Sequence, residues 1–131
     1  MPKKAAEVAR AIAVPSDVLV VEDNIIIALD AEECLISLGV SHVRTAARVK
    51  AALNEIKAKL PDYALLDVDL NDETSLPVAM VLQDAGVPFA FTTGYGDFAD
   101  CPERFAAVPR LSKPYTSETL EKLFSVEKEK A

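Results

Sequence analysis

The chain has 131 residues, half of them hydrophobic and 27% charged, which is the make-up of one ordinary globular domain with a core of its own. Its net charge of −7 argues against a nucleic-acid or anionic-membrane surface, since both need a basic patch. No apolar run approaches the roughly 20 residues of a membrane span. Cys34 and Cys101 form neither a disulfide framework nor a zinc spacing, so a reducing, cytoplasmic setting is expected.

Residues 1–14 read as an alanine-rich N-terminal extension, and Glu7 and Arg10 interrupt it too much for a secretion signal. Residues 15–128 read as the domain and 129–131 as a tail. Asp17-Val18-Leu19-Val20-Val21 is a continuous apolar strand that ends in Glu22-Asp23. Asn24 caps a helix from Ile25 to Leu38, with Ile25, Leu29, Leu35 and Leu38 as its apolar positions and Gly39 as its stop. His42 to Ala46 alternates and is less apolar, so it reads as an edge strand. Ala47 to Lys59 is a second helix, with Val49, Leu53, Ile56 and Leu60 at helical spacing, ended by Pro61.

Tyr63-Ala64-Leu65-Leu66-Asp67 is a second buried run, and it ends in a carboxylate. Residues 71–75 read as a polar loop in which Asp72 and Glu73 are solvated. Leu76 to Asp84 is a third helix, stopped by Gly86. Pro88 to Thr92 is a third apolar strand, leading into Thr93-Gly94. Asp97 to Ala107 is a poorer helix broken by Pro102. Val108 to Ser112 is a mixed strand whose proline suits an edge. Lys113-Pro114 follows, and Thr116 caps a last helix with Leu120, Leu123 and Phe124 facing in.

Five β–α units in alternation predict an α/β fold with a parallel sheet and helices on both faces. The three apolar strands belong in the centre and the two mixed ones at the edges. The order 2-1-3-4-5, a flavodoxin-like doubly wound sheet, satisfies this. In that order Glu22, Asp23, Asp67, Thr93 and Lys113 share the carboxyl rim, where such sheets bind ligands. Three acids with one lysine invite a divalent cation, and all-oxygen ligands suit Mg²⁺. Asp67 is placed to attack phosphorus as a nucleophile. Lys113 and Thr93 are suited to the phosphoryl oxygens.

These residues resemble the receiver domain of two-component response regulators over roughly residues 16 to 127. The run from Pro88 to Gly96 further resembles an alphaproteobacterial subgroup named for a Phe-Ala-Thr-Gly-aromatic-Tyr (FATGUY) signature. The match to that signature is partial: Thr92 stands where alanine is usual, and one residue is lacking between Gly94 and Tyr95. The resemblance implies that Asp67 is the phosphoacceptor of a sensor histidine kinase. It implies that Asp23 and Asp67, with the backbone carbonyl of Asp69, ligate Mg²⁺, and that Glu22 acts through water. It also implies a cis Lys113-Pro114 bond. Receivers carry an aromatic residue three places before the lysine. Arg110 stands there, so Tyr95, hinged by Gly94 and Gly96, is expected to serve the switch instead.

The sequence ends just after the last helix, so a stand-alone receiver is expected, a monomer or weak dimer and not a classical enzyme. Its partners would be the kinase and a histidine phosphotransfer or downstream target protein. The third-strand Asp-x-Asp also resembles the catalytic pair of haloacid-dehalogenase-type phosphatases, which is the alternative reading.

Overall fold

A computed structural model of the chain describes residues 14–94 and 101–130, and for 126–130 the backbone alone. Three strands are buried at every position: β1 (Asp17–Val21), β3 (Tyr63–Asp67) and β6 (Phe89–Thr93). Strands β2 (His42–Ala46) and β7 (Arg110–Ser112) are partly exposed, and the five pair in parallel in the order β2-β1-β3-β6-β7. Successive side chains in a strand point to opposite faces, which splits the core in two. Leu19, Val21, Leu66 and Phe91 meet α2 (Val49–Ala58) and α3 (Leu76–Asp84) on one face. Val18, Val20, Tyr63 and Leu65 meet α1 (Ile25–Ser37) and α4 (Ser117–Lys130) on the other.

Helix ends follow local chemistry. Asn24 Oδ1 accepts from the amides of Ile26 and Ile27 at 3.0 and 3.2 Å. Thr116 and Thr119 cap α4 reciprocally: the Thr116 amide donates to Thr119 Oγ1 at 2.9 Å, and the Thr119 amide to Thr116 Oγ1 at 3.3 Å. Gly39 and Gly86 follow α1 and α3 with φ of +107° and +76°, a backbone that favours glycine.

Four expectations change. Helix α1 buries Ala28, Ala31 and Leu35, while Ile25 and Leu29 are 71% and 56% exposed. The small alanines let the helix approach the sheet closely, and that turns the longer side chains outward. Leu60 lies beyond α2 and is 49% exposed. Residues 71–75 are not a simple loop, because β4 (Asp69–Leu70) and β5 (Glu73–Thr74) pair antiparallel around Asn71, whose φ is +64°. Of the expected helix from Asp97 to Ala107, residues 97–100 lie outside the described residues. The rest holds a 3₁₀ turn, Glu103–Phe105, docked by Phe105 edge-on to Phe89 and Phe91 at 6.0 and 5.7 Å.

Ser75 precedes α3 with φ −85° and ψ 5°, and its side chain caps nothing. Its hydroxyl is fully buried and finds no hydrogen-bond partner among the described residues. A buried, unpaired hydroxyl costs about 1–3 kcal/mol. Ser75→Ala is therefore expected to raise the unfolding free energy by about 1 kcal/mol after the small loss of packing, seen as a higher urea midpoint. A clear drop would show that the hydroxyl has a partner.

Candidate functional site

The carboxyl ends of β1, β3, β6 and β7 meet on one rim. Val21 pairs with Leu66, Asp67 with Thr92 and Thr93 with Ser112. This register places Glu22, Asp67, Thr93 and Lys113 side by side without any long loop. Glu22 and Asp67 are 4% and 6% exposed. Lys113 Nζ lies 3.1 Å from Glu22 Oε1 and 3.1 Å from Asp67 Oδ2. Glu22 Oε2 accepts from the Asn24 amide at 3.1 Å, so α1's capping turn also orients this acid. Carboxylate oxygens of Glu22, Asp23 and Asp67 lie within 4.8 Å of one another.

The lysine is held from both ends. Its amide donates to the Thr93 carbonyl at 2.7 Å, the Lys113–Pro114 bond is cis, and Tyr115 behind it is buried. The Val68 amide donates to the Thr92 carbonyl at 3.1 Å and fixes the turn out of β3. Thr93 is itself buried, at the end of β6. Asp69 lies in β4 and is exposed.

Charge in the site is unevenly balanced. Burial, then repulsion by Glu22, push the Asp67 carboxyl from 3.8 up to about 6, and the hydrogen bond and charge of Lys113 only partly offset them. Burial would lower the Lys113 ammonium, but its bonds to Glu22 and Asp67 outweigh this and hold it above its ordinary value. One ammonium cannot neutralise three acids at neutral pH. The donor set, three carboxylates gathered on one rim, fits a hard divalent cation. Neighbouring oxygens around an octahedral Mg²⁺ are about 3 Å apart and opposite ones about 4.2 Å, so oxygens spread over up to 4.8 Å would have to close in on the ion.

The structure brings Glu22, Asp23, Asp67 and Lys113 together on one rim, with Thr93 at the neighbouring strand end. Arg110 and Gly94 are exposed, and Tyr95 lies outside the described residues. The expectation that Asp72 and Glu73 are merely solvated is corrected for Glu73, which is 31% exposed and pairs with Arg48 at 3.0 Å; Asp72 meets Arg48 at 2.8 Å but stays 82% exposed. Arg48 and Glu73 are 25 positions apart, and no local pattern links them. Tyr115 went unremarked too; its signal was an aromatic residue directly behind Lys113-Pro114.

A buried acid thus ends the third strand, flanked by an acid pair and a lysine from neighbouring strand ends. The chain belongs to the response regulator receiver domain family, which its sequence matches over residues 18–125. It is similar to the solution structure of SdrG from Sphingomonas melonis Fr1, with 36% identity and a TM-score of 0.75 over 86% of this chain and 97% of that one. The BeF3-activated conformation of SdrG from Pseudomonas melonis Fr1 matches at 34% identity and TM-score 0.71, over 87% and 98% of the two chains. The receiver domain of the PhyR response regulator from Erythrobacter litoralis matches at 27% and 0.72, over 86% and 89%. No curated protein matches the sequence. The chain is thus a receiver domain of two-component signalling. Receivers bind Mg²⁺ at an acidic pocket, and this chain presents such a group. Among the described residues no helix is long and apolar enough to cross a membrane.

Proposed function

We propose that this chain is a single-domain, cytoplasmic response regulator that takes a phosphoryl group onto Asp67 from the phosphohistidine of a sensor kinase. The observation that carries this is the Glu22–Lys113–Asp67 contact beside Asp23. An Asp67 oxygen attacks phosphorus, the O–P bond forms as the donor's P–N bond breaks, and the imidazole nitrogen keeps the electron pair. Glu22, Asp23, Asp67 and the Asp69 carbonyl would hold Mg²⁺, which when bound neutralises the charge on the phosphoryl oxygens. Lys113, released from its two acids, is then free to pair with a phosphoryl oxygen, and Thr93 offers a hydroxyl beside it.

SdrG has a BeF3-activated conformation, which supports the same kind of activation here. The Phe89–Gly94 run supports membership of the FATGUY subgroup. With Arg110 in the usual aromatic place, Tyr95 and its glycine hinge take the switch role. The acid pair Glu22-Asp23 and Lys113 gathered at Asp67 favour this reading over an Asp-x-Asp phosphatase. The output is protein contact, with a histidine phosphotransfer protein or a downstream target.

Helix α1 leads directly out of Glu22-Asp23 and turns Ile25, Ile26, Leu29 and Ile36 to solvent, with Ile26 74% exposed. An apolar face beside the phosphoacceptor suits a helical donor protein whose histidine must come within bonding distance of Asp67. Leu29→Glu is expected to slow transfer from a sensor kinase that phosphorylates the wild type, by roughly tenfold for a central contact. Phosphorylation by a small phosphodonor with Mg²⁺ should be unchanged in the same variant. If neither donor labels Asp67 in the wild type, the proposed function is wrong. If the kinase rate is unaffected by Leu29→Glu, the donor docks elsewhere.

A further inference from the structure

Asp69 is two residues beyond Asp67, on a hairpin of two short strands, Asp69–Leu70 and Glu73–Thr74. A two-stranded hairpin is marginal in water even at greater length, and this one has only two residues per strand. Leu70, fully buried, anchors it from below, and the Ser75 amide closes its base on the Val68 carbonyl at 3.1 Å. Its outer strand is held by a different element.

That element is the junction between β2 and α2. Arg48 occupies the cap position of α2, and its side chain makes no capping bond to the helix. Glu73 supplies the missing acceptor: its Oε2 takes the Val49 amide at 3.0 Å and Arg48 Nε at 3.0 Å. Arg48 Nη2 also reaches Asp72 Oδ1 at 2.8 Å, so one guanidinium spans two successive acids of the hairpin. The same junction touches the opposite side of the acid pocket, because the Ala46 carbonyl accepts the Glu22 amide at 2.9 Å. Residues 46–49 thus bridge the two segments that carry the pocket's oxygens, Glu22-Asp23 and Asp67–Asp69.

These contacts differ in weight. The Arg48–Asp72 pair is largely solvent-exposed, with Asp72 82% exposed, and such pairs contribute little. Glu73 is 31% exposed and serves a helix amide that has no acceptor within its own turn, so it is the stronger member.

We infer that Glu73 is a positioning residue: by capping α2 in place of Arg48, it fixes the hairpin that carries Asp69 against the Glu22-Asp23 segment and so sets the spacing of the cation pocket. Glu73 touches neither ion nor phosphoryl group. It acts through the Val49 amide and Arg48. This inference rests on the proposed Mg²⁺-dependent receiver function.

The test compares wild type, Glu73→Ala, Glu73→Gln and Asp72→Asn by Mg²⁺ titration followed in NMR shifts, and by amide hydrogen exchange of the metal-free proteins. Outer partners of metal ligands commonly change affinity about 10–100-fold, and Glu73 acts one step further away, so about fivefold weaker Mg²⁺ binding is expected for Glu73→Ala. In the same variant Val49 and the hairpin amides should exchange faster. Glu73→Gln keeps an acceptor for Val49 while losing the charge, and it should restore most of the affinity. Asp72→Asn, which removes an exposed charge from the same turn, should bind as wild type. Equal weakening in Glu73→Ala and Glu73→Gln would reduce the effect to charge and overturn the inference, as would wild-type affinity in Glu73→Ala. A wild type that binds no Mg²⁺ would remove the underlying function, and the inference with it.

Discussion

Asp67→Asn is expected to make the metal-free protein more stable at pH 7.5 while abolishing its phosphorylation. The loss of labelling follows because amide nitrogen and oxygen cannot replace the attacking carboxylate. The gain in stability follows from linkage. The carboxyl is raised from 3.8 to about 6 in the fold, chiefly by burial and by Glu22. An acid whose folded value is raised binds its proton more tightly when folded, so its contribution is fully present below pH 3.8 and is lost as pH rises through about 6. Two units correspond to roughly 3 kcal/mol of penalty at neutral pH, as an order of magnitude. Thermal unfolding in Mg²⁺-free buffer should therefore show wild type and Asp67→Asn close together near pH 4 and separated by several degrees above pH 7. Added Mg²⁺ should stabilise the wild type more than the variant and narrow the gap. A variant no more stable than wild type at pH 7.5 would mean that Lys113 already compensates Asp67 in full.

Arg44→Ala is expected to lower stability by about 3–5 kcal/mol. Asp17, at the amino end of β1 on the side of the sheet away from Asp67, has a side chain only 7% exposed. Arg44 grips it in a fork, Nε to Oδ1 at 3.1 Å and Nη2 to Oδ2 at 3.0 Å. The same guanidinium donates to the carbonyls of Glu55 and Lys59 at 2.9 and 3.1 Å, which closes the end of α2. Truncation would leave the buried Asp17 carboxylate, among the described residues, with only the Lys59 ammonium at 3.9 Å, and would take a donor from the carbonyls of Glu55 and Lys59, the first of which keeps the Lys59 amide. Arg44→Lys should recover little, since an ammonium cannot reproduce the planar fork. Asp17→Asn should be milder because it removes the charge that needs a partner. Urea unfolding at neutral pH measures all three. A loss under about 1 kcal/mol for Arg44→Ala would reduce this contact to an ordinary surface pair.

Both sites sit at the ends of strands that were legible in the sequence. The runs at β1, β3 and β6 are apolar at consecutive positions because helices cover both faces of a central parallel strand, and that demand is written residue by residue. Strand order followed from the same property, since β2 and β7 are less apolar and lie at the edges. The acids and the lysine were legible because each stands at a strand end, and a parallel sheet brings all such ends to one rim.

The direction of α1 was not legible. Its sequence is apolar on two sides, so periodicity alone cannot decide between a face of alanines and a face of isoleucine and leucine. Packing against β1, β2 and α4 decided it, and Ala28, Ala31 and Leu35 went inward. Asp72 and Glu73 looked like solvated charges for a similar reason. A polar stretch of chain carries no local mark of what lies opposite it.

The sequence by itself determined the five strands, their order and the identity of the rim residues Glu22, Asp23, Asp67, Thr93 and Lys113. Burial on both faces and the handed β–α connections leave few arrangements open to such a pattern. The tertiary structure alone decided that Lys113 bridges Glu22 and Asp67, that Arg44 closes the far end of β1, and that Glu73 caps α2. Each of these is a hydrogen bond between residues far apart in the chain. Its geometry depends on where whole elements dock, which local periodicity does not specify.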